Sequence, residues 1–352
     1  LLKYSYEDEY ASQSLVRNQF TRERLEVPNI NLAIIGAGEF TTSMHIPNLN
    51  SLKKDYSISH IVNRNGHKAM EIAQLVNSEF ASTDYKDALN DDKVNAVLIS
   101  TKHHLHADLV IEAINARKNV FVEKPLALNF EDLDKIEEAW KKSDKIAMVG
   151  FNRRYAPFTE EINTFFKNRI SPMVAYYRIN AESIPHDHWV YDKKEGGGRI
   201  ISEACHFIDY LTYVIGSKPI QVFTSSITTQ KSQDTMDNFA INLTFEDGST
   251  GTIIYTSKGN KKLSKERAEF FADDKTAILD NFKNLKLISN VKDETKKNML
   301  SQDKGHKNEF KFLIENIKIG NRMENEFLLS LYSSRATVAA QKSMISKLPE
   351  KV

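Results

Sequence analysis

The sequence predicts an α/β domain built on a parallel sheet, followed by an α+β domain with a large, mainly antiparallel sheet. Three observations predict this. From Ile30 to about Gly150, short apolar runs alternate with stretches of helical periodicity, the pattern of repeated β-α units. After Gly150 the texture changes to alternating strands joined by a hairpin turn, which marks antiparallel pairing. The length, 352 residues, exceeds one ordinary core and suits two.

The elements follow in order. Residues 1–30 are polar, end in Val27-Pro28-Asn29, and read as a linker or N-terminal arm. Residues 31–150 form the first domain. Its strands are expected at Leu32 to Ile35, Ile58 to Val62, Ala96 to Ile99, Val120 to Val122 and Ile146 to Val149, with helices at His67 to Val76, Leu105 to Ala116 and Phe130 to Trp140, where apolar residues return every three or four positions. Residues 151–352 form the second domain. Strands are expected at Val174 to Ile179, Phe239 to Phe245 and Thr252 to Tyr255, with Glu246-Asp247-Gly248-Ser249 as a turn. Helices are expected at Gly198 to Ile215, His306 to Ile319 and near Glu326 to Met344.

Composition limits the function classes. Hydrophobic residues at 41% and charged residues at 27% are ordinary for a soluble globular chain. A formal net charge of +1 gives no overall field for nucleic acid. No apolar run approaches the roughly 20 residues that span a bilayer. The single cysteine, Cys205, rules out an internal disulfide and suits a reducing compartment, so a cytoplasmic location is expected. The opening Leu1-Leu2-Lys3-Tyr4 has neither an initiator Met nor a signal-peptide layout, and a fragment of a longer polypeptide is expected.

Gly36-Ala37-Gly38 directly follows the first apolar strand and opens a helix, the context of a dinucleotide-binding Rossmann turn. Glycine permits the tight turn, and a pyrophosphate can approach the helix N-terminus, where N–H groups and the dipole favour an anion. Gly36, Gly38, Glu39, Phe40 and Thr41 are therefore candidate cofactor contacts, although Thr41 is bulkier than the fingerprint's third small residue. An NAD site often places an acid after the second strand, where this chain has Asn63 and Arg64. Asn63 can hydrogen-bond a ribose. Arg64 either pairs with a 2′-phosphate or is a solvated surface arginine, so NAD and NADP both stay open. The turn Thr101-Lys102-His103-His104-Leu105-His106 follows a strand end, where ligands bind in such sheets. Its histidines lack the Cys or acidic companions of a zinc site, so no metal is expected and Thr101, His104 and His106 are candidate cofactor contacts. Glu123-Lys124-Pro125 ends another strand. A lysine there has three donors with which to orient a substrate hydroxyl.

The chain resembles the Gfo/Idh/MocA oxidoreductase family over roughly residues 30–350. The resemblance rests on Gly36-Ala37-Gly38 with His45-Ile46-Pro47, on Thr101 to His106, on Glu123-Lys124-Pro125, on Gly150-Phe151-Asn152-Arg153-Arg154-Tyr155, and on the run from Gly196-Gly197-Gly198 to Asp209. It implies an NAD(P)-dependent dehydrogenase acting on the CH–OH group of a sugar, nucleotide-sugar or cyclitol. Lys124 and the helix histidine His206 would flank the reacting hydroxyl, with His206 as the base that hydride loss requires. Many members place an Asp four residues before that histidine, whereas this chain has Ser202 there and Glu203 beside it. Glu203, at i to i+3 from His206, is the candidate replacement.

Asn152, Arg154, Tyr155, His188 and Trp189 are candidate substrate contacts, because polar groups bond sugar hydroxyls while a ring stacks on the apolar face. Trp189 is equally a candidate packing residue. The Gly196 to Asp209 run most resembles members fused behind a zinc-type alcohol dehydrogenase domain in bacterial surface-polysaccharide proteins, which implies an upstream domain. A homodimer or homotetramer is also implied. The rival reading is a non-catalytic NAD(P)-sensing regulatory or binding protein of the same fold.

Overall fold

The computed structural model describes residues 14–19, 30–185, 187–192, 194–227, 236–298 and 302–352. The chain forms two compact units, Leu1–Ser100 and Thr101–Val352. Of the expected N-terminal arm, residues 1–13 and 20–29 lie outside the described residues, as does His186 of the predicted substrate loop.

In the first unit, strands Leu15–Arg17 (β1), Ile30–Ile35 (β2), Tyr56–Val62 (β3), Phe80–Ser82 (β4) and Ala96–Ile99 (β5) lie in the order β1-β4-β3-β2-β5. β2 pairs parallel with β3 and β5, and β3 pairs parallel with β4, while β1 runs antiparallel to β4. β3 is buried along its whole length, as a parallel strand covered on both faces must be. Ile46–Asn50 (α1), Gly66–Val76 (α2) and Tyr85–Leu89 (α3) connect the strands. The Asn65 side chain accepts the Lys68 N–H to start α2, and Asn77 closes it in the left-handed region. β1, β4 and α3, at three, three and five residues, are too short to register as a periodic pattern, and the sequence reading did not anticipate them.

The second unit holds His106–Asn115 (α4), Asn119–Val122 (β6), Phe130–Lys141 (α5) and Ala147–Val149 (β7), with β6 and β7 parallel. Pro157–Phe166 (α6) leads into Val174–Asn180 (β8), and Cys205–Ile215 (α7) into Pro219–Ser226 (β9), Phe239–Phe245 (β10), Thr250–Thr256 (β11), Glu266–Ala272 (β12), Lys275–Asp280 (β13), Asn284–Ser289 (β14) and Lys292–Lys297 (β15). Helices His306–Ile319 (α8) and Glu324–Ser346 (α9) and a short strand Glu350–Lys351 (β16) complete it. The nine-stranded sheet runs β15-β14-β13-β12-β8-β11-β10-β9-β16 and is antiparallel except between β8 and β11.

Alternation sets which face of this sheet is covered. In β10, Phe239, Ile241, Leu243 and Phe245 are buried while Asn242 and Thr244 are exposed, the period of two that fixes register. The buried face joins α7 and α9 in one core containing Tyr177, Phe207, Tyr210, Tyr255, Phe270 and Ala339. The helix predicted from Gly198 begins as a π-helical turn, Ile200–Ala204, in which the Cys205 N–H donates to the Ile200 carbonyl. Such turns place side chains at angles that a regular α-helix does not.

Candidate active site

In the first unit the chain leaves β2 through Gly36, whose φ of 88° favours glycine. The Gly36 N–H donates to Val62 O at 2.9 Å and the Gly38 N–H to Gly36 O at 2.7 Å, which folds the turn back on itself. Asn63 fastens it: its Nδ2 donates to Ala37 O at 2.7 Å, and its Oδ1 accepts the Asn65 N–H at 3.0 Å. Both ends of this amide are thus occupied within the fold, so Asn63 shapes the turn that the sequence suggested it would face as a ribose ligand. Thr41 is fully buried and opens a second π-helical turn, Thr41–His45, whose Thr41 carbonyl accepts the Ile46 N–H. Glu39, Phe40 and Arg64 are exposed, with Phe40 edge-on to His45 at 5.0 Å. A tip of Gly-Ala-Gly with no bulky side chain, followed at once by a helix start, fits a dinucleotide phosphate.

In the second unit the predicted histidine turn is a scaffold. His106 is buried with Nδ1 2.7 Å from Pro125 O and Nε2 3.1 Å from Thr101 O. Burial outweighs both bonds and lowers its pKa, so the neutral ring gives its one proton to the closer carbonyl. With that one proton spent on Pro125 O, the ring is fixed beside the residue after Lys124 and has no donor left for a cofactor. His103, not anticipated as a site residue, has Nδ1 3.0 Å from Gly196 O and lies edge-on to Trp189 at 4.7 Å. Burial, then the Lys124 charge, pushes its imidazole down to about 3. Lys102 pairs with Glu195 beside it, so the segment carrying Trp189 is fixed to this turn at three points. His104 stays exposed. Trp189 remains 36% exposed, enough to offer a ring face as well as a packing edge. His188 caps the short turn after it, its Nδ1 accepting the Val190 N–H at 3.3 Å.

Glu123 and Lys124 stand at the end of β6. The Lys124 N–H donates to Glu123 Oε2 at 3.2 Å, Lys124 Nζ donates to Ser202 O at 2.9 Å, and the peptide to Pro125 is cis. Ser202 therefore takes part through its backbone, one helical turn before His206. His206 lies edge-on to Phe151 at 6.2 Å, and its Nδ1 is buried without a hydrogen-bond partner among the described residues. Burial first, then the Arg153 and Lys124 charges, push this imidazole well below the ordinary histidine range, so it is neutral at physiological pH, with its lone pair unprotonated and its affinity for a proton weakened until a neighbouring negative charge develops.

Glu203 faces other partners. It accepts Tyr255 Oη–H at 2.6 Å and pairs with Lys265 at 2.9 Å and Arg199 at 3.2 Å. Burial works to raise its carboxyl, but Lys265 and Arg199 outweigh burial and hold it at about 2. The expected replacement for the family's Asp is thus corrected. Glu203 lies in the π-helical turn, and the Tyr255 hydroxyl with the Lys265 and Arg199 cations engages its carboxylate.

The Asn152 to Tyr155 turn is likewise mostly interior. Asn152 Nδ2 donates to Lys304 O at 2.8 Å. Arg153 grips Glu266 with two bonds at 2.9 and 2.8 Å, and Lys304 and Tyr177 add to that carboxylate at 2.6 and 2.7 Å. Arg154 forms a buried fork with Asp209 and donates to Glu326 O at 2.9 Å. Expected as substrate contacts, Asn152 and Arg154 instead spend their donors inside the fold, because a buried guanidinium must be paired. Tyr155 is partly buried, its ring 5.0 Å from Phe312.

Residues 30–151 match the model of an oxidoreductase family with an NAD-binding Rossmann fold, and residues 171–277 match the GFO/IDH/MocA C-terminal domain. A myo-inositol 2-dehydrogenase of Thermotoga maritima is 27% identical over 230 residues, 64% of this chain and 67% of that protein. An inositol 2-dehydrogenase of Salmonella paratyphi B is 44% identical over 106 residues, 29% of this chain and 32% of that one. A solved levoglucosan dehydrogenase, in complex with NADH and levoglucosan, shares the fold with a TM-score of 0.81 at 19% identity, covering 92% of this chain and 99% of that one.

Proposed function

The chain belongs to the Gfo/Idh/MocA oxidoreductase family, an NAD-binding Rossmann family, and on that premise we propose that it moves a hydride between a nicotinamide cofactor and a carbinol carbon of a sugar or cyclitol. One observation carries the proposal. Lys124 Nζ is anchored to the Ser202 carbonyl one helical turn before His206, a neutral histidine with an unpartnered Nδ1 among the described residues.

When bound, the nicotinamide supplies the two-electron hydride acceptor or donor. The Gly36 to Gly38 turn would let its pyrophosphate approach the helix start that follows, and the exposed Arg64 would be the residue to read a 2′-phosphate. One Nζ proton of Lys124 is committed to Ser202, which leaves two to hold the substrate oxygen. His206 takes the hydroxyl proton as hydride leaves the carbon, so the alcohol becomes a ketone with charge balanced; in the reverse direction it returns that proton. Trp189 stacks on the sugar's apolar face. His103 and His106 hold the turns on either side and exchange no proton.

A nucleotide-linked sugar extends the proposal, and a surface-polysaccharide setting extends it on the resemblance of the Gly196 to Asp209 run and the linker-like N-terminus. A homodimer or homotetramer rests on the family resemblance, and a cytoplasmic location on the single cysteine, Cys205. No helix among the described residues is long and apolar enough to cross a membrane.

The test is titration with NADH and NADPH by calorimetry, followed by cofactor reduction with cyclitols, free sugars and nucleotide-linked sugars. Binding with turnover on one of these classes is expected. Binding without turnover on any would favour the cofactor-sensing alternative, and no binding would sink both.

A further inference from the structure

Glu309, in the first turn of α8, is fully buried, and among the described residues neither carboxylate oxygen has a hydrogen-bond partner. An ionised carboxylate left in that state is costly enough that such groups neutralise instead. Its surroundings leave it no outward path. Phe310 packs on Phe121 of β6 at 4.9 Å, and Asn308 Nδ2 donates to Tyr155 O at 3.1 Å. Gly305, with φ of 87°, lets the helix start against the Asn152 to Tyr155 turn, where a Cβ would come within 2.4 Å of Asn152 O. The Phe310 to Phe121 contact sets this turn of α8 beside β6.

The charged group it meets there is Glu123. That carboxylate is itself buried, accepts the Lys124 N–H at 3.2 Å, and lies so close to Gly150 that a Cβ there would stand 2.9 Å from Oε1. Burial, and then the Glu123 charge, push the Glu309 carboxyl well above the ordinary range. Two carboxyls sharing a dry site retain one proton between them. The other titratable groups facing the pair are Lys124 just past β6, His103 and His106 from the preceding turn, and Tyr155; His306 shares the helix with Glu309.

We propose that Glu309 is a positioning residue: as a carboxylic acid it donates its proton to Glu123, and the resulting pair fixes the strand end from which Lys124 reaches Ser202 O. The role rests on the reading of Lys124 as the residue that holds the substrate oxygen. Glu309 itself touches neither substrate nor cofactor. No atom is transferred in turnover; the shared proton keeps a single negative charge beside Lys124 instead of two.

The test uses two variants of the whole chain. Glu309→Gln keeps the shape and offers an N–H donor that cannot ionise; Glu309→Leu keeps the bulk without a donor. Glu309→Gln should retain kcat within about threefold, the scale of one exchanged hydrogen bond. Glu309→Leu should lose about tenfold to a hundredfold in kcat through a misplaced Lys124, with cofactor affinity unchanged. Infrared spectroscopy at neutral pH should show a protonated carboxyl stretch in the wild type that Glu309→Gln lacks. Because the folded state holds this proton more tightly than the unfolded chain, its stabilisation is complete below the ordinary carboxyl pKa and declines as pH rises. The melting temperature of Glu309→Gln should therefore gain on that of the wild type from pH 5 to pH 8, roughly the span above that pKa.

Wild-type kcat in Glu309→Leu, equal losses in both folded variants, or no carboxyl band in the wild type would each overturn the proposal. If Glu309→Leu does not fold, the infrared band and the melting comparison decide it. Failure of the enzymatic reading is distinguishable: no variant turns over, the positioning role falls with it, and the band still reports whether the proton is shared.

Discussion

The glycine turn of the first unit and the lysine strand end of the second are both candidate binding surfaces, yet they are built oppositely. The Gly36 to Gly38 turn is shaped by backbone hydrogen bonds and one amide, Asn63, and its charged neighbours Glu39 and Arg64 are exposed. Around Lys124 and His206, the polar groups are buried and mutually paired: Arg153 with Glu266, Arg154 with Asp209, His106 with the Pro125 carbonyl. An anion can be held by N–H groups on a side-chain-poor turn. Proton transfer instead needs a base kept neutral and a donor held within hydrogen-bond reach, and that requires desolvation together with the partners that make it tolerable. The contrast predicts large effects from single substitutions in the second unit and small ones in the first.

The largest is expected at Lys124. Lys124→Ala should lower kcat by about 10²- to 10⁴-fold, the scale of losing a group that positions and polarises the reacting oxygen, while NADH affinity measured by calorimetry stays within a few fold; retained turnover would erase the contrast. Arg153→Met comes next. It leaves Glu266 buried with fewer partners, and denaturant unfolding should show a loss of about 3–5 kcal/mol; a loss of under about 1 kcal/mol, the scale of a surface pair, would mean that the network is not what holds the second unit together.

Acid should act through the same buried groups. His103 and His206 are held neutral in the folded state, with His103 down at about 3 against an ordinary 6.5. The unfolded chain therefore binds protons first, so their contribution to stability is complete above pH 6.5 and drains as pH falls toward the folded values. Melting temperatures from pH 8 to pH 5 should begin to drop near pH 6.5, the ordinary histidine pKa, and His103→Gln should flatten the first part of the decline. An unchanged profile would return the role to the carboxylates. The smallest effect is expected at Arg64. Arg64→Ala should weaken NADPH several-fold, by about 1 kcal/mol as for an exposed pair, and leave NADH untouched; equal or absent losses would make Arg64 a solvated arginine.

Much of the site was legible along the chain. Gly36-Ala37-Gly38 after an apolar strand, Lys124 at a strand end and His206 in a helix each carry a local signal, and the structure places them at those element ends. Partner choice was not legible. Glu203 was expected near His206 and turned instead to Tyr255, Arg199 and Lys265, and the π-helical turn in which it lies has no sequence signature. Glu309 did leave a trace: it stands in helical register with Leu313 and Asn316 on the buried face of α8, and a carboxylate among core positions asks for a partner. Only the fold brings the Glu123 charge into its neighbourhood.

The sequence by itself determined the alternation of strands and helices, the two sheet types, the glycine turn and the two groups proposed to act on the substrate hydroxyl, since each depends on neighbours within one element. The tertiary structure decided which polar groups are spent on packing and which stay available. Arg154 and His106 looked like ligands and became struts, and His103 and Glu309 went unnoticed until burial fixed their protonation. The physical reason is that periodicity and turn chemistry act over a few residues, whereas desolvation and charge pairing depend on groups that meet only after folding, 113 positions apart for Arg153 and Glu266.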